Sequence, residues 1–308
     1  MSKNIFIFPG QGSQKVGMGK DFYDNDALAR EMVEKASQRL DLDFTKLLFE
    51  ENDKLELTQY TQPAILLVSS IAHALFVKEN KNTPLMALGH SLGEFSALSA
   101  VGAINYLDAV ELVHKRGIFM QKACENINAG MMALIGLSDE SVEEITTIQR
   151  ENGKKVWAAN YNCDGQIVVA GDKDDLGSLE VVFKEAGAKR AILLNMSVAS
   201  HCPLLQSAIA SLGEYLEKYL KDDFLAPIVS NATADLYSSK KEALDVLSRQ
   251  LISPVKYKHS IVHVEAKADN FIEFGATVLK GLNRRSTKKP THCITDMESL
   301  EKVLSELS

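Results

Sequence analysis

Residues 84–103 read PLMALGHSLGEFSALSAVGA and place Ser91 inside a Gly-x-Ser-x-Gly pentapeptide that follows an apolar run. The run from Pro84 to Gly89 is short and apolar, which indicates a buried strand, and the stretch after Ser91 is typical of a helix. A strand, a sharp turn and a helix form a nucleophile elbow, in which glycines make room for the turn and the serine hydroxyl projects outward. The start of the helix would present N–H groups and a positive dipole end to an oxyanion. The stretch therefore predicts a nucleophilic serine at position 91.

The segments around the elbow predict an α/β fold with a mainly parallel sheet covered on both faces by helices. Ile5–Phe8 is a candidate strand and leads into a glycine-rich loop at residues 9–14. Thr61 is expected to cap a helix whose first turn contains Pro63. The predicted helices lie at about 26–39, 61–76, 92–103 and 105–124.

The middle of the chain follows a different pattern, because strands and helices alternate there in the order β-α-β-β-α-β. This order is the ferredoxin-like split pattern. It predicts a small inserted subdomain at residues 125–197, with the larger α/β domain formed by residues 1–124 and 198–308. The predicted segments are 131–137, 139–150, 156–160, 166–170, 174–186 and 190–195.

Composition limits the classes of function. The chain has 308 residues and a formal net charge of −7, which argues against nucleic acid as the main partner. Its four cysteines are widely spaced, which favours free thiols in a reducing compartment and no metal site. We see no stretch approaching the length that a membrane span needs, and the first apolar run is too short for a signal peptide. We therefore expect a cytoplasmic protein that has no membrane partner.

A general base for Ser91 is sought among seven histidines, and His201 is the best candidate. It follows an irregular segment and precedes a helix, at the junction of the two predicted subdomains, where a cleft is expected. A solvated loop histidine is the alternative interpretation. His90 adjoins Ser91, and neighbouring residues in an elbow point apart. No aspartate is placed to orient His201, but a backbone carbonyl at Nδ1 suffices, so a Ser–His dyad is physically adequate.

Arg116 lies on the apolar stripe of its predicted helix. The residues one turn away from it are Leu112, Val113, Phe119 and Met120. An arginine in that position is expected to be buried, and a buried guanidinium needs an anion. That anion is either an internal carboxylate or the carboxylate of a substrate.

The glycine-rich loop and the elbow each contribute a candidate oxyanion donor, namely the backbone N–H groups of Gln11 and Leu92. Such a loop also occurs at phosphate sites, but the Gly-x-x-x-x-Gly-Lys-Ser/Thr pattern is absent from this sequence. An oxyanion site is therefore favoured over nucleotide binding.

Several separate motifs, in order along essentially the whole chain, resemble the malonyl-CoA:acyl-carrier-protein transacylases of type II fatty-acid synthesis and the acyltransferase domains of large synthases. The resemblance is more specific than the pentapeptide alone. The matching motifs are Phe8-Pro-Gly-Gln-Gly-Ser-Gln14, Thr61-Gln-Pro-Ala64, Gly89-His-Ser-Leu-Gly-Glu94, Arg116-Gly, Asn160 with Gly165-Gln166, Ser200-His201, and Gln250-Leu followed by Pro254-Val255.

The resemblance implies a role for each catalytic position. Ser91 would be the nucleophile and His201 its base, with the carbonyl of Gln250 orienting the imidazole. Arg116 would bind the malonyl carboxylate. The N–H groups of Gln11 and Leu92 would form the oxyanion hole.

The resemblance also implies pocket-lining positions and a fold. Gln62 and Asn160 would line the pocket, although a glutamine at a helix start and an asparagine at a strand end also have structural roles. Leu92 and Ser200 resemble the residues of the malonyl-selective branch. The implied fold is a hydrolase-like α/β domain with a ferredoxin-like insertion.

The activity implied is ping-pong transfer of a malonyl group from coenzyme A to the phosphopantetheine thiol of acyl carrier protein, without a cofactor, by a monomer. Because carrier proteins of this kind are acidic, Lys189-Arg190, Arg284-Arg285 and Lys288-Lys289 are candidate docking residues, or else an ordinary solvated surface. Two alternatives stay open. A thioesterase or lipase would use water as acceptor, and a non-enzymatic binder would form no covalent intermediate.

Overall fold

The structure is a computed structural model that describes residues 2–81 and 83–307. Within those residues the chain forms two sheets with helices packed around them. The strands are β1 Asn4–Phe8, β2 Met86–Gly89, β3 Ala129–Ile135, β4 Val156–Cys163, β5 Gln166–Asp172, β6 Arg190–Leu193, β7 Ile228–Val229, β8 Leu236–Tyr237, β9 Asn270–Phe274 and β10 Thr291–Ile294. The α-helices are α1 Lys20–Asn25, α2 Ala27–Leu40, α3 Phe44–Phe49, α4 Thr58–Glu79, α5 Gly93–Ala100, α6 Tyr106–Ala123, α7 Asp139–Glu151, α8 Lys173–Glu185, α9 Ile209–Tyr219, α10 Lys240–Gln250, α11 Tyr257–Val264, α12 Val278–Asn283 and α13 Met297–Leu307. Short 3-10 helices lie at Lys54–Glu56, Pro203–Ala208 and Glu265–Lys267.

The larger sheet has the strand order β10-β9-β1-β2-β7-β8. Its pairs are parallel except β7 with β8. Successive side chains of β1 point to opposite faces, as the period of a strand requires. Phe6 and Phe8 join the core that contains α4 and α5, whereas Ile5 and Ile7 join the core that contains α11 and α12. The sheet is therefore buried on both faces, and the predicted α/β class is confirmed.

The smaller sheet is antiparallel and has the strand order β4-β5-β3-β6. Along the chain its elements follow the order β3-α7-β4-β5-α8-β6. One face of this sheet packs against α7 and α8 through residues such as Met132, Leu134 and Val169. Met131 and Ala133 point to the opposite face, where they line a cavity against the larger sheet. The smaller sheet thus forms one wall of the candidate site.

The start of α4 differs from the prediction, because the helix begins at Thr58 and Thr61 is not its cap. The hydroxyl of Thr61 instead donates to the carbonyls of Leu55 and Leu57. Pro63 lies inside the helix and has no N–H for the carbonyl of Gln59. Nδ1 of His114 on α6 lies 2.7 Å from that carbonyl oxygen and donates to it. A neighbouring helix therefore satisfies the group that the proline leaves unpaired.

Helix α4 also corrects the expectation that no stretch is long and apolar enough to cross a membrane. By length and composition alone, α4 is long and apolar enough to cross a membrane. However, 78% of its apolar stretch is buried inside the protein. Its side chains pack against α2, α5, α6 and β9, as those of a central core helix do.

Candidate active site

The predicted elbow is present at the carboxyl end of β2. Ser91 has φ 53°, in the left-handed region that a residue other than glycine rarely adopts. A side chain at Gly93 would place its Cβ 2.0 Å from the carbonyl oxygen of Phe8, and one at Gly89 would meet the backbone of Gly93. Only glycine fits at these two positions, so the sharp turn that exposes the Ser91 hydroxyl depends on both.

Ser91 and His201 are hydrogen-bonded, with 2.7 Å between the serine Oγ and the imidazole Nε2. Nδ1 of His201 donates to the backbone carbonyl of Gln250 at 2.9 Å, which leaves Nε2 as the acceptor for the serine proton. Burial, followed by the positive charge of Arg116, lowers the pKa of His201 to about 3. The imidazole is therefore neutral at physiological pH, and the alternative of a solvated loop histidine is excluded because His201 is only 2% exposed.

The side chain of Arg116 extends from α6 to the hydroxyl of Ser91, and the residue is 1% exposed. Its Nη2 donates to Ser91 Oγ at 3.1 Å and to the side-chain oxygen of Gln250 at 3.0 Å. Its Nη1 donates to Gln62 Oε1 at 2.8 Å, and the guanidinium carbon lies 5.3 Å from the centre of the Phe95 ring. These contacts point the guanidinium toward the serine hydroxyl.

No carboxylate of the described residues forms an ion pair with Arg116. The side-chain amide of Gln250 separates the guanidinium from Glu94, which accepts from Gln250 Nε2 at 2.7 Å. Burial lowers the pKa of Arg116 to about 9, and the charge of Glu94 opposes that shift. The cation is thus held by neutral groups, and Nε of Arg116 has no hydrogen-bond partner among residues 2–81 and 83–307. This arrangement leaves donor capacity for an anion from outside.

A cavity of about 270 Å³ opens in front of these groups, between the elbow and the smaller sheet. The oxygen Oδ1 of Asn160 is buried without a partner in the described part of the chain. Asn160 does not end its strand as expected, since β4 continues to Cys163 and has a bulge at this position. The structure brings all the predicted site residues to this cavity or its edge: Gln11, Gln62, Ser91, Leu92, Arg116, Asn160, Ser200 and His201 line it, and Gln250 holds His201 from behind.

Two buried polar residues at the site were missed by the sequence analysis. Asn231 accepts from the Ser91 N–H at 2.6 Å through Oδ1 and donates to the carbonyl of Gly89 at 2.7 Å through Nδ2. Glu94 accepts from the backbone N–H of Asn231 at 3.2 Å and from the hydroxyl of Tyr237 at 3.0 Å. The sequence did mark Glu94 as unusual, since it is the one charged residue in the otherwise uncharged octapeptide GEFSALSA. Asn231 had no comparable signal.

Comparison with known families identifies the chain's relatives. The family described as acyl transferase domain matches residues 5–299. A malonyl CoA-acyl carrier protein transacylase from Bacillus subtilis strain 168 is 39% identical over 311 residues, which cover 100% of this chain and 98% of that protein. The protein of the same name from Staphylococcus aureus strain MRSA252 is 36% identical over 306 residues and 98% of each chain.

Similar solved structures are also of malonyl transacylases. A malonyl-CoA:acyl carrier protein transacylase from Helicobacter pylori has a TM-score of 0.96 and 47% identity, covering 100% of this chain and 99% of that one. A malonyl-transacylase solved in complex with its type II polyketide synthase acyl-carrier protein has a TM-score of 0.95 and 32% identity, covering 99% and 100%. The similarity covers 98–100% of this chain and of each of these proteins.

Proposed function

This chain belongs to the acyl transferase domain family, and from that premise we propose that it transfers a malonyl group from malonyl-CoA to the phosphopantetheine thiol of acyl carrier protein. The product would supply extender units for fatty-acid synthesis. The names of its relatives and the carrier-protein complex of one structural neighbour support this substrate pair.

One observation carries the proposal, namely the buried guanidinium of Arg116 placed within hydrogen-bond distance of the Ser91 hydroxyl. A cavity that contains an unpaired cation next to a nucleophile favours an acyl group that has its own negative charge. Malonyl carries a carboxylate two carbons from its thioester carbonyl, whereas acetyl carries none. The site therefore suits a short acid-bearing acyl group.

The first half-reaction begins when Ser91 Oγ attacks the thioester carbonyl and its proton passes to His201 Nε2. The carbonyl oxygen becomes an oxyanion, for which the N–H groups of Gln11 and Leu92 are the proposed donors. Collapse of the tetrahedral intermediate breaks the C–S bond, and the imidazolium protonates the departing thiolate of coenzyme A. A malonyl-Ser91 ester remains, and its carboxylate binds Arg116.

The second half-reaction uses the same groups in reverse. The phosphopantetheine thiol gives its proton to His201 Nε2, and its sulfur attacks the ester carbonyl. The C–O bond to Ser91 then breaks, and the imidazolium returns the proton to the serine oxygen. The backbone carbonyl of Gln250 keeps the imidazole in the required tautomer through both halves.

A charge argument links the substrate carboxylate to the base. The positive charge of Arg116 is one cause of the lowered pKa of His201, so it disfavours the imidazolium that each half-reaction forms. A malonyl carboxylate on Arg116 offsets that charge. The anionic acyl group therefore makes His201 a stronger base than it is in the empty site.

The remaining parts of the proposal concern architecture and partners. We assign residues 125–197 to a ferredoxin-like subdomain and residues 1–124 and 198–308 to a hydrolase-like domain. The protein would act as a cytoplasmic monomer and would need no metal or other cofactor. Gln62, Asn160 and Ser200 would line the malonyl pocket.

Intact-protein mass spectrometry after mixing with malonyl-CoA tests the proposal. Wild-type protein is expected to gain one malonyl group and to lose it to a holo carrier protein, whereas Ser91→Ala is expected to gain none. Ser96→Ala, which removes the buried hydroxyl of a serine on α5, is the matched control and should be loaded as wild type is. A malonyl adduct on Ser91→Ala would refute the role of this serine. Release of free malonate faster than transfer would support a thioesterase instead.

A further inference from the structure

Glu94 lies one helical turn after Ser91 and takes no part in the steps above. Its side chain is 1% exposed and accepts three hydrogen bonds. Oε2 accepts from Gln250 Nε2 at 2.7 Å and from the backbone N–H of Asn231 at 3.2 Å, and Oε1 accepts from the Tyr237 hydroxyl at 3.0 Å. Two of these donors, Gln250 and Asn231, in turn hold the reacting groups.

Gln250 connects Glu94 to Ser91, Arg116 and His201. Its Nε2 also donates to the backbone carbonyl of Ser91 at 3.0 Å, its Oε1 accepts from Arg116 at 3.0 Å, and its own backbone carbonyl accepts from His201. Glu94 determines which way the amide lies, because its ionised carboxylate only accepts, and its protonated form can donate from Oε1 to the Tyr237 hydroxyl while Oε2 still accepts. With the NH2 group facing Glu94, the amide oxygen faces the guanidinium. A reversed amide would place two donors against each other at Arg116.

Glu94 also acts on Arg116 by its charge. The titratable groups that interact with Glu94 are Arg116 on α6 and Tyr237 on β8. Burial raises the pKa of Glu94 to about 7, against the effects of its hydrogen bonds and of Arg116. Tyr237 stays neutral because burial raises its pKa well above the usual value. A negative charge behind the guanidinium repels an acyl carboxylate that approaches Arg116 from the cavity.

We propose that Glu94 is a positioning residue that fixes the Gln250 amide and, through its charge, sets how strongly Arg116 prefers an anionic acyl group over a neutral one. This inference rests on the proposed function, since it concerns the acyl selectivity of the same site. When Glu94 is ionised, Arg116 binds the malonyl carboxylate more weakly, and when Glu94 is protonated, Arg116 binds it more strongly.

The test compares malonyl-CoA with acetyl-CoA as donors from pH 6 to pH 8.5. The ratio of their kcat/KM values cancels the effects of pH on His201 and on the shared coenzyme A moiety. In wild type the ratio should be about fivefold higher at pH 6 than at pH 8.5, as expected of one unit charge in a partly polar interior. In Glu94→Gln the ratio should stay at the acid value up to about pH 7.5, below the range in which Arg116, whose pKa burial lowers to about 9, begins to lose its charge.

Glu94→Gln is a suitable variant because it can keep every contact. Its amide oxygen can accept from Gln250 and Asn231, and its NH2 group can donate to the Tyr237 hydroxyl, which also accepts. Glu94→Ala removes these contacts and should lower kcat/KM for malonyl-CoA about a hundredfold. If Glu94→Gln restores most of the kcat/KM lost in Glu94→Ala, the loss is due to the missing hydrogen bonds and not to the missing charge.

Tyr237→Phe is the matched control, since it removes a hydrogen bond to Glu94 and keeps the charge. Its malonyl-to-acetyl ratio should still depend on pH, with the midpoint moved upward because a bond that lowers the pKa of Glu94 is gone. An equal pH dependence in wild type and Glu94→Gln would overturn the inference, and so would a flat ratio in wild type. Absence of malonyl transfer in wild type would instead refute the proposed function. If Glu94→Ala does not fold, the ratio measured in Glu94→Gln decides alone.

Discussion

Arg116 donates from Nη2 to the hydroxyl oxygen of Ser91 across 3.1 Å, while Nε2 of His201 lies 2.7 Å from that oxygen. The group proposed to select the substrate therefore touches the atom proposed to attack it. Selection and reaction at this site are physically connected, because any change at the guanidinium alters both the pocket and the electrostatics of the base.

Arg116→Ala is expected to lower kcat/KM for malonyl-CoA by about a hundredfold or more, because the acyl carboxylate would enter a buried site without a partner. Use of acetyl-CoA should be retained or increased, since loss of the positive charge also makes His201 more basic. The measurement is the malonyl-to-acetyl ratio of kcat/KM in wild type and variant.

Arg116→Lys provides the comparison. A lysine keeps the charge and loses the planar pair of donors, so it should fall between wild type and alanine in the same ratio. A ratio that is unchanged in Arg116→Ala would show that this arginine does not bind the acyl carboxylate.

Local sequence predicted those parts of the site that depend on neighbours along the chain. The elbow at Ser91 follows from two glycines beside it, and the burial of Arg116 follows from apolar residues one turn away on α6. Both patterns lie within about one turn of the residue concerned, so they can be read from one sequence.

The remaining parts depend on contacts between distant segments. Glu94 meets Gln250 across 156 positions and Asn231 meets Ser91 across 140, and no periodicity encodes such pairs. The start of α4 was predicted three residues late for the same reason. Pro63 was placed in the first turn because its missing N–H is harmless there, but His114 of α6 satisfies the orphaned carbonyl of Gln59.

The basic residues near the cavity are expected to bind carrier protein. Arg284 and Lys288 are exposed just after α12, whose residues Val278 and Leu282 line the cavity. The double change Arg284→Glu with Lys288→Glu should raise KM for carrier protein several-fold at low salt and reduce the salt dependence of transfer. Lys302→Glu, on the exposed face of α13, is the control. Unchanged salt dependence in the double variant would exclude this surface.

His73 is expected to destabilise the protein in acid. Its ring packs edge-on against Phe6 and Phe274, and burial lowers its pKa to about 4. Between about pH 6.5 and pH 4, His73 is protonated in the unfolded chain but neutral in the folded chain. The free energy of unfolding therefore falls as the pH is lowered through this range. At pH 5 the loss due to His73 is at most about 2 kcal/mol.

Urea unfolding at pH 7.5 and pH 5 measures this loss. In wild type the free energy of unfolding should be lower at pH 5 than at pH 7.5. This difference should be smaller in His73→Leu, by up to about 2 kcal/mol. The exposed His263 serves as the control, since His263→Leu should leave the difference as it is in wild type. An unaltered difference in His73→Leu would show that the ring accepts a proton in the folded state.

Asn231 is expected to hold the strained backbone of the elbow. Ser91 has φ 53°, and such a conformation persists only where the surroundings determine it. Asn231 accepts from the Ser91 N–H and donates to the Gly89 carbonyl, so it bridges the two sides of the turn. Asn231→Ala should cost about 1–3 kcal/mol of stability, because buried backbone groups lose their partners. It should also lower kcat at least tenfold, because Oγ would no longer be fixed against His201.

Asn283→Ala separates these two effects. Asn283 is also 1% exposed, and its amide accepts from Tyr257 at 2.9 Å and donates to Thr291 at 3.1 Å, outside the cavity lining. Loss of this amide should cost similar stability and leave kcat within about twofold of wild type. Equal kcat in the two variants, each measured well below its unfolding temperature, would mean that the turn keeps Ser91 in place without Asn231. A fall in kcat confined to Asn231→Ala would assign the strained geometry at Ser91 to this amide, because its two hydrogen bonds join the N–H of Ser91 to the carbonyl of Gly89.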